Sequence, residues 1–133
     1  MYKKEQEIEI KNLSLLPKNI FHLVPEELFN KFINKNGDYD CRYKKVWGNN
    51  SPFIHTTPTK KQLKKRVADV NWSKYPIKKN FLLLKIDTRK INSKVTYSIF
   101  ENNIYHHIWG KLLKESFQII DVVRDKNGKF LFL

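Results

Sequence analysis

The sequence predicts an α+β fold: a small split sheet, antiparallel or mixed, of about six to eight strands with two early helices. The first helical pattern follows Pro25 and the second follows Thr59. From residue 81 onward the chain consists mainly of short apolar or alternating runs, which are typical of strands. Segregation of helical and strand patterns favours α+β over a repeating β-α arrangement.

The chain is long enough for one domain with one hydrophobic core. It has 133 residues, of which 41% are hydrophobic and 14% aromatic. A chain of this size does not readily form two cores. We therefore expect residues 17–133 to be a single domain ending in a hairpin. Residues 1–16 are predicted to be an N-terminal extension with a strand, because residues 7–11 alternate between charged and apolar side chains.

Both helices carry start patterns. Pro25 suits the first position of a helix, and the apolar stripe that follows it predicts a helix ending near Gly37. Thr59 and Gln62 have the spacing of a capping box, which predicts reciprocal hydrogen bonds at the start of the second helix.

Strands are predicted wherever apolar runs end at turn-forming residues. The strongest run, Phe81–Asp87, is apolar on both faces at its start and is expected to be central. The other predicted strands are 20–23, 53–57, 94–100, 105–109, 117–123 and 129–133.

The net charge of +13 favours anionic partners, either small molecules and nucleotides or nucleic acid. The predicted second helix carries the densest basic group, which could either follow a phosphate backbone or be a solvated face. Its members are Lys60, Lys61, Lys64, Lys65 and Arg66.

Other composition features limit the class of protein. The single cysteine, Cys41, excludes a disulfide framework and a cysteine-rich zinc site. No apolar run is long enough to span a bilayer, and the N-terminus lacks a secretory pattern. We expect a soluble, cytoplasmic protein without a membrane partner.

All four histidines lie beside large apolar residues in three separate runs. If the runs are neighbouring strands, then His22, His55 and His107 can line one cleft. His106 and His107 are adjacent on a strand and point to opposite faces, so at most one joins them. The alternative is that each imidazole is satisfied by a nearby backbone group. We predict no metal site, since no carboxylate stands at a fixed spacing.

Five short motifs resemble, in order, those of a small bacterial family known as domain of unknown function 952. The resemblance covers residues 19–123 approximately. The motifs are Ile20-Phe21-His22, Phe53-Ile54-His55-Thr56, Leu82-Leu83-Leu84-Lys85-Ile86-Asp87, Phe100-Glu101 and Tyr105-His106-His107-Ile108-Trp109-Gly110.

The resemblance implies a fold of the ADP-ribosyltransferase type, with a cleft for NAD or a related nucleotide. Glycosidic cleavage passes through a positively charged ribose. The candidate catalytic residues are Glu101, which would stabilise this charge, and His55, which would contact the ribose. The implied ligand-binding residues are His22, Thr56, Thr57, Tyr105, His107 and Trp109. The family has no settled reaction, so catalysis is left open. The alternative is a non-catalytic nucleic-acid or nucleotide-binding module.

Overall fold

A computed structural model describes residues 8–40, 54–62, 81–100, 102–124 and 130–132. Within these residues the protein has eight strands in two four-stranded sheets, one α-helix and the first residues of a second helix. All of the strand pairs are antiparallel. The predicted α+β class is therefore confirmed.

The first sheet has the strand order β1-β5-β6-β3. Its strands are β1 (Ile8–Ile10), β3 (Ile54–Thr56), β5 (Lys94–Phe100) and β6 (Asn103–Trp109). The alternating N-terminal segment thus forms β1, which pairs with β5 at one edge of this sheet. The short β3 forms the opposite edge.

The second sheet has the strand order β2-β4-β7-β8. Its strands are β2 (Asn19–Pro25), β4 (Phe81–Asp87), β7 (Phe117–Arg124) and β8 (Phe130–Phe132). The apolar run predicted to be central is β4, which pairs with both β2 and β7.

The first helix, α1 (Glu26–Phe32), follows β2 directly and ends earlier than predicted. Ile33 is already paired in a bridge with Tyr39. The amide side chain of Asn34 accepts hydrogen bonds from the backbone of Asn36 and Asp38, which forms a turn after the helix. Gly37 lies in that turn with a φ of 82°, so its left-handed conformation serves the turn and does not cap α1.

The second helix begins where predicted, but only half of the capping box forms. Residues 60–62 are helical, and the Gln62 amide donates to the Thr59 hydroxyl at 3.1 Å. The Gln62 side chain donates to the Ile104 carbonyl at 2.8 Å, where a capping box would have it return to Thr59. The long amide side chain therefore ties the helix start to β6. The remainder of this helix lies outside the described residues.

The hydrophobic core is formed where one face of each sheet meets α1. Both sheets contribute buried aliphatic residues, α1 contributes two phenylalanines, and the segments between these elements add Leu16, Tyr39, Ile91 and Leu112. The strand residues of the cluster are Ile20, Val24, Leu84, Ile86, Ile54, Val95 and Ile108. Because side chains alternate along a strand, the neighbours of Ile54 and Ile108 project from the other face of the first sheet.

No helix in the described part of the chain combines the length and apolar character needed to cross a lipid bilayer.

Candidate histidine site

The two sheets meet at a single antiparallel bridge between Phe21 of β2 and Thr57, which directly follows β3. The Phe21 amide donates to the Thr57 carbonyl at 2.8 Å, and the Thr57 amide donates to the Phe21 carbonyl at 2.9 Å. Pairing between the sheets is limited to this bridge among the described residues. The sheets therefore separate on either side of it.

His22 lies at this junction and connects three parts of the fold. Its Nδ1 is 2.7 Å from the His55 carbonyl oxygen, and its Nε2 is 3.1 Å from the Tyr39 hydroxyl. A carbonyl oxygen can only accept, so Nδ1 carries the hydrogen. In the neutral ring Nε2 then accepts from the Tyr39 hydroxyl, which fixes both the tautomer and the ring orientation.

His55 and His107 form a direct imidazole pair. They are opposite each other in the antiparallel register of β3 and β6. His107 Nε2 is 2.7 Å from His55 Nδ1, and the ring centroids are 4.5 Å apart. One ring donates a hydrogen to the lone pair of the other. A single proton is thus held between two residues that are 52 positions apart in the sequence.

Further polar and aromatic groups share this face of the first sheet. The Tyr105 ring centroid lies 5.3 Å from that of His55. Thr96 is paired with His107, and its hydroxyl accepts a hydrogen bond of 2.7 Å from the Trp109 indole. Thr96, Ser98 and His107 are all buried, with His107 fully so. We call this surface the polar face: His55, His107, Tyr105, Trp109, Thr96 and Ser98.

His106 projects from the opposite face of β6, as alternation requires. Its register partners are Thr56 and Tyr97. The side chain is 6% exposed, and Nδ1 has no hydrogen-bond partner among the described residues. Burial lowers the pKa of His106, and the neighbouring His107 lowers it further. Of the two adjacent histidines, His107 is thus the one whose ring contacts His55.

The structure brings His22, His55 and His107 together in two different ways. His55 and His107 contact each other ring to ring on the polar face. His22 shares its face of β2 with the core residues Ile20 and Val24, and it reaches His55 through the backbone carbonyl. His22 and His55 remain partly exposed, whereas His107 is enclosed.

The two threonines after His55 are fully buried and hydrogen-bonded within the fold. The Thr56 hydroxyl donates to the His106 carbonyl at 2.7 Å. The Thr57 hydroxyl donates to the Thr59 carbonyl at 3.0 Å. Both hydroxyl hydrogens are therefore used to hold the strand end in place.

Several predicted residues fall outside the described part of the chain. They are Glu101, Lys64, Lys65 and Arg66. Of the remaining basic residues in the second helix, Lys61 is exposed, and Lys60 Nζ lies 6.0 Å from the centroid of the Phe21 ring. That distance is at the outer limit for a cation–π contact.

Three residues of the site were not predicted from the sequence. Tyr39 stands among charged residues and reads as part of a loop, yet it is 1% exposed and holds His22. Thr96 and Ser98 alternate with apolar residues in β5, a pattern that normally places the polar residues in solvent. The available sign of a buried polar face was the presence of two hydroxyl residues, Thr96 and Ser98, on the strand that pairs with the histidine strand β6.

The described histidines do not form a metal centre. Within the described ranges no group of three or more histidine, cysteine, aspartate or glutamate side chains is placed to hold a metal ion. One ring nitrogen of each residue, His55 Nδ1 and His107 Nε2, is used in the hydrogen bond between the two rings. The chemistry available from this arrangement is proton exchange and hydrogen bonding to an oxygen-rich ligand.

Comparisons with family models, with curated proteins and with solved structures found no match to this chain. The relationship to domain of unknown function 952 therefore stays a prediction based on the five motifs.

Proposed function

We propose that this protein binds NAD or a related nucleotide at the polar face, in a split-sheet fold of the ADP-ribosyltransferase type. The observation that carries the proposal is the imidazole pair of His55 and His107 on one face of the first sheet, where His107, Thr96 and Ser98 are buried. The junction of two separating four-stranded sheets beside this face supports the fold assignment.

The contrast between the two faces of the first sheet supports a binding role. One face is mainly aliphatic, with Ile54, Val95 and Ile108 nearly inaccessible to solvent, and it also carries the buried Thr56 and His106. Burying imidazoles and hydroxyls on the other face costs more free energy than burying hydrocarbon, unless each polar group gains a partner. Retention of polar groups at such positions is typical of a surface that must recognise a polar ligand.

Within this proposal His55 and His107 have different roles. His55 Nδ1 contacts His107, so the buried Nε2 is the ring nitrogen that would hydrogen-bond the ribose or exchange a proton with it. His107 is a positioning residue, because it is enclosed and its Nε2 contacts His55 Nδ1. An orienting partner of this kind fixes the tautomer and direction of a working imidazole.

The aromatic residues would contact the flat parts of the nucleotide. Tyr105 lies beside His55, and Trp109 is held in place by its indole hydrogen bond to Thr96. Aromatic rings in such positions can stack on a base. Glu101 is the proposed carboxylate for a positively charged ribose if glycosidic cleavage occurs.

Calorimetric titration with NAD and ADP-ribose tests the binding proposal. His55→Ala is expected to weaken binding by about tenfold, the effect of one lost hydrogen bond to a polar or charged group. His106→Leu is the matched control, because it changes the adjacent strand position on the opposite face. Its affinity should stay within about twofold of the parent. Equal losses in both variants would refute a site on the polar face.

Catalysis is tested separately by following NAD consumption in the parent and in Glu101→Gln. A loss of turnover with retained NAD binding is expected if Glu101 stabilises the developing ribose cation. Equal rates in the two proteins, or none in either, would remove Glu101 from this role.

The net charge of +13 keeps a nucleic-acid module as the alternative. Titration with an oligonucleotide at several salt concentrations distinguishes the two. Binding to nucleic acid weakens steeply with salt because counterions are released. A steep salt dependence, together with no response to NAD or ADP-ribose, would replace the nucleotide proposal.

A further inference from the structure

We propose that a second site, a cavity on the outer face of the second sheet, binds a small phosphorylated molecule. The cavity has a volume of about 230 Å³. Three lysines and two carboxylates line it: Lys18, Lys85, Lys90, Asp87 and Glu115. Lys85 is paired with Phe21, whereas His22 is paired with Leu84, so Lys85 and His22 project from opposite faces. This site is therefore independent of the function proposed for the histidines.

Lys85 occupies the centre of this outer face. Its register partners are Phe21 on β2 and Gln118 on β7, and Gln118 also lines the cavity. Lys85 is half-buried, whereas Lys18 and Lys90 are exposed. Lys85 is thus the most buried of the three lysines that line the cavity.

The three lysines share the cavity with two carboxylates, but no ion pair joins them within the described ranges. Among the described carboxylates, none forms an ion pair with Lys18, Lys85 or Lys90. Asp87 already accepts a hydrogen bond of 3.0 Å from the Arg89 amide in the turn after β4. The three lysines outnumber the two carboxylates of the lining by one, so a bound anion would balance the remaining positive charge. Lysine is a regular binder of phosphoryl groups because it acts as a mobile point charge.

The size and the mixed charge of the lining define the ligand class. Pockets for drug-sized ligands usually measure about 300–1,000 Å³, so this cavity suits something smaller than a dinucleotide. Asp87 and Glu115 would accept hydrogen bonds from hydroxyl groups, but they would repel the successive phosphates of a nucleic-acid backbone. Phosphate and hydroxyl groups together indicate a sugar phosphate.

Calorimetric titrations at constant ionic strength test this site with ribose 5-phosphate, inorganic phosphate and ribose. We expect ribose 5-phosphate to bind, phosphate to bind more weakly and ribose not to bind. Lys85→Met and Lys90→Met should each weaken binding of ribose 5-phosphate by about tenfold, as expected for losing a charge-assisted contact. Lys31→Met is the matched control, because Lys31 is exposed on α1 and does not line the cavity.

The control should retain affinity within about twofold of the parent. Absence of binding by both phosphate ligands would overturn the proposal, as would an equal loss in Lys31→Met. Displacement of ribose 5-phosphate by a single-stranded oligonucleotide would overturn the small-ligand assignment. Thermal unfolding shows whether Lys85→Met is still folded. Lys90 is exposed, so Lys90→Met tests the site without changing the core.

Discussion

The Nδ1 atom of His22 lies 2.7 Å from the carbonyl oxygen of His55, at the point where pairing between the two sheets stops. The adjacent bridge of Phe21 and Thr57 uses backbone amides as donors. At the His55 carbonyl, the His22 side chain donates the hydrogen bond in place of a backbone amide. The imidazole thereby satisfies a strand edge while the two sheets diverge.

Replacing His22 with leucine is expected to lower the free energy of unfolding by about 1–3 kcal/mol. The substitution keeps a side chain of comparable bulk but removes the hydrogen bonds to His55 and Tyr39. Urea denaturation measures the change. Stability equal to the parent would contradict a structural role for this imidazole.

Two further variants separate the hydrogen bonds of His22. Tyr39→Phe removes the hydroxyl that bonds to Nε2 and leaves the bond to the His55 carbonyl in place, so it should cost about 1 kcal/mol. His22→Asn retains a short amide donor near the position of Nδ1, so it should recover part of the stability lost in the leucine variant.

Local patterns were sufficient to predict the fold class and the location of most strands. Alternation and apolar runs located the strands that became β2, β4, β5, β6 and β7. The end of α1 was predicted less well, because the Asn34 side chain forms a competing turn that a simple apolar stripe does not reveal. Gln62 likewise bonds to Ile104, a partner 42 residues away that no local capping pattern can identify.

The candidate site was predicted only in part, again because local patterns do not reveal contacts between residues that are distant in the sequence. The histidines could be assigned to strands, and alternation separated His106 from His107. Strand order was not predictable from the sequence, so the pairing of β3 with β6 and the contact of Tyr39 with His22 were not foreseen. Burial of Thr96 depends on what covers the sheet, which alternation alone does not indicate.

A double-mutant cycle should detect the contact of His55 with His107. Each single alanine variant removes the hydrogen bond between Nδ1 and Nε2, so the double variant should lose less stability than the sum of the two. We expect a coupling free energy of about 0.5–1.5 kcal/mol. Fully additive losses in denaturation experiments would show that the two rings do not interact.

His106 is expected to make the protein less stable under acid conditions. Burial lowers its pKa in the folded state, so below about pH 6.5 the unfolded chain binds more protons than the folded protein. The free energy of unfolding should consequently fall as the pH drops through this range. At higher pH the ring is neutral in both states, and this contribution disappears.

His106→Leu tests that expectation, since it removes the titrating group and fills the buried position with hydrocarbon. Denaturation midpoints measured between about pH 8 and pH 5 should depend less steeply on pH in the variant than in the parent. A steeper dependence, or an unchanged one, would show that His106 is not the responsible group.

Gly110 is expected to be the less replaceable of two glycines with positive φ. It has a φ of 154°, and a Cβ added there would lie 2.5 Å from Ser93 Oγ and 2.9 Å from Ser93 Cβ. Gly37 has a φ of 82°, but its nearest contact would be 3.5 Å, to the flexible Lys114 side chain. Gly110→Ala therefore combines backbone strain with a collision, whereas Gly37→Ala has only the strain.

We expect Gly110→Ala to lower the free energy of unfolding by about 2–4 kcal/mol. Gly37→Ala should lower it by about 1–2 kcal/mol, the usual cost of a left-handed residue with a Cβ. Ser93 donates to the Lys111 carbonyl at 3.0 Å, so displacing Ser93 would also disturb the turn after β6. Ser93→Gly in the Gly110→Ala background should restore part of the stability by removing the collision, while the backbone strain remains. Equal losses from the two alanine variants, without rescue, would disprove the close approach of Gly110 to Ser93.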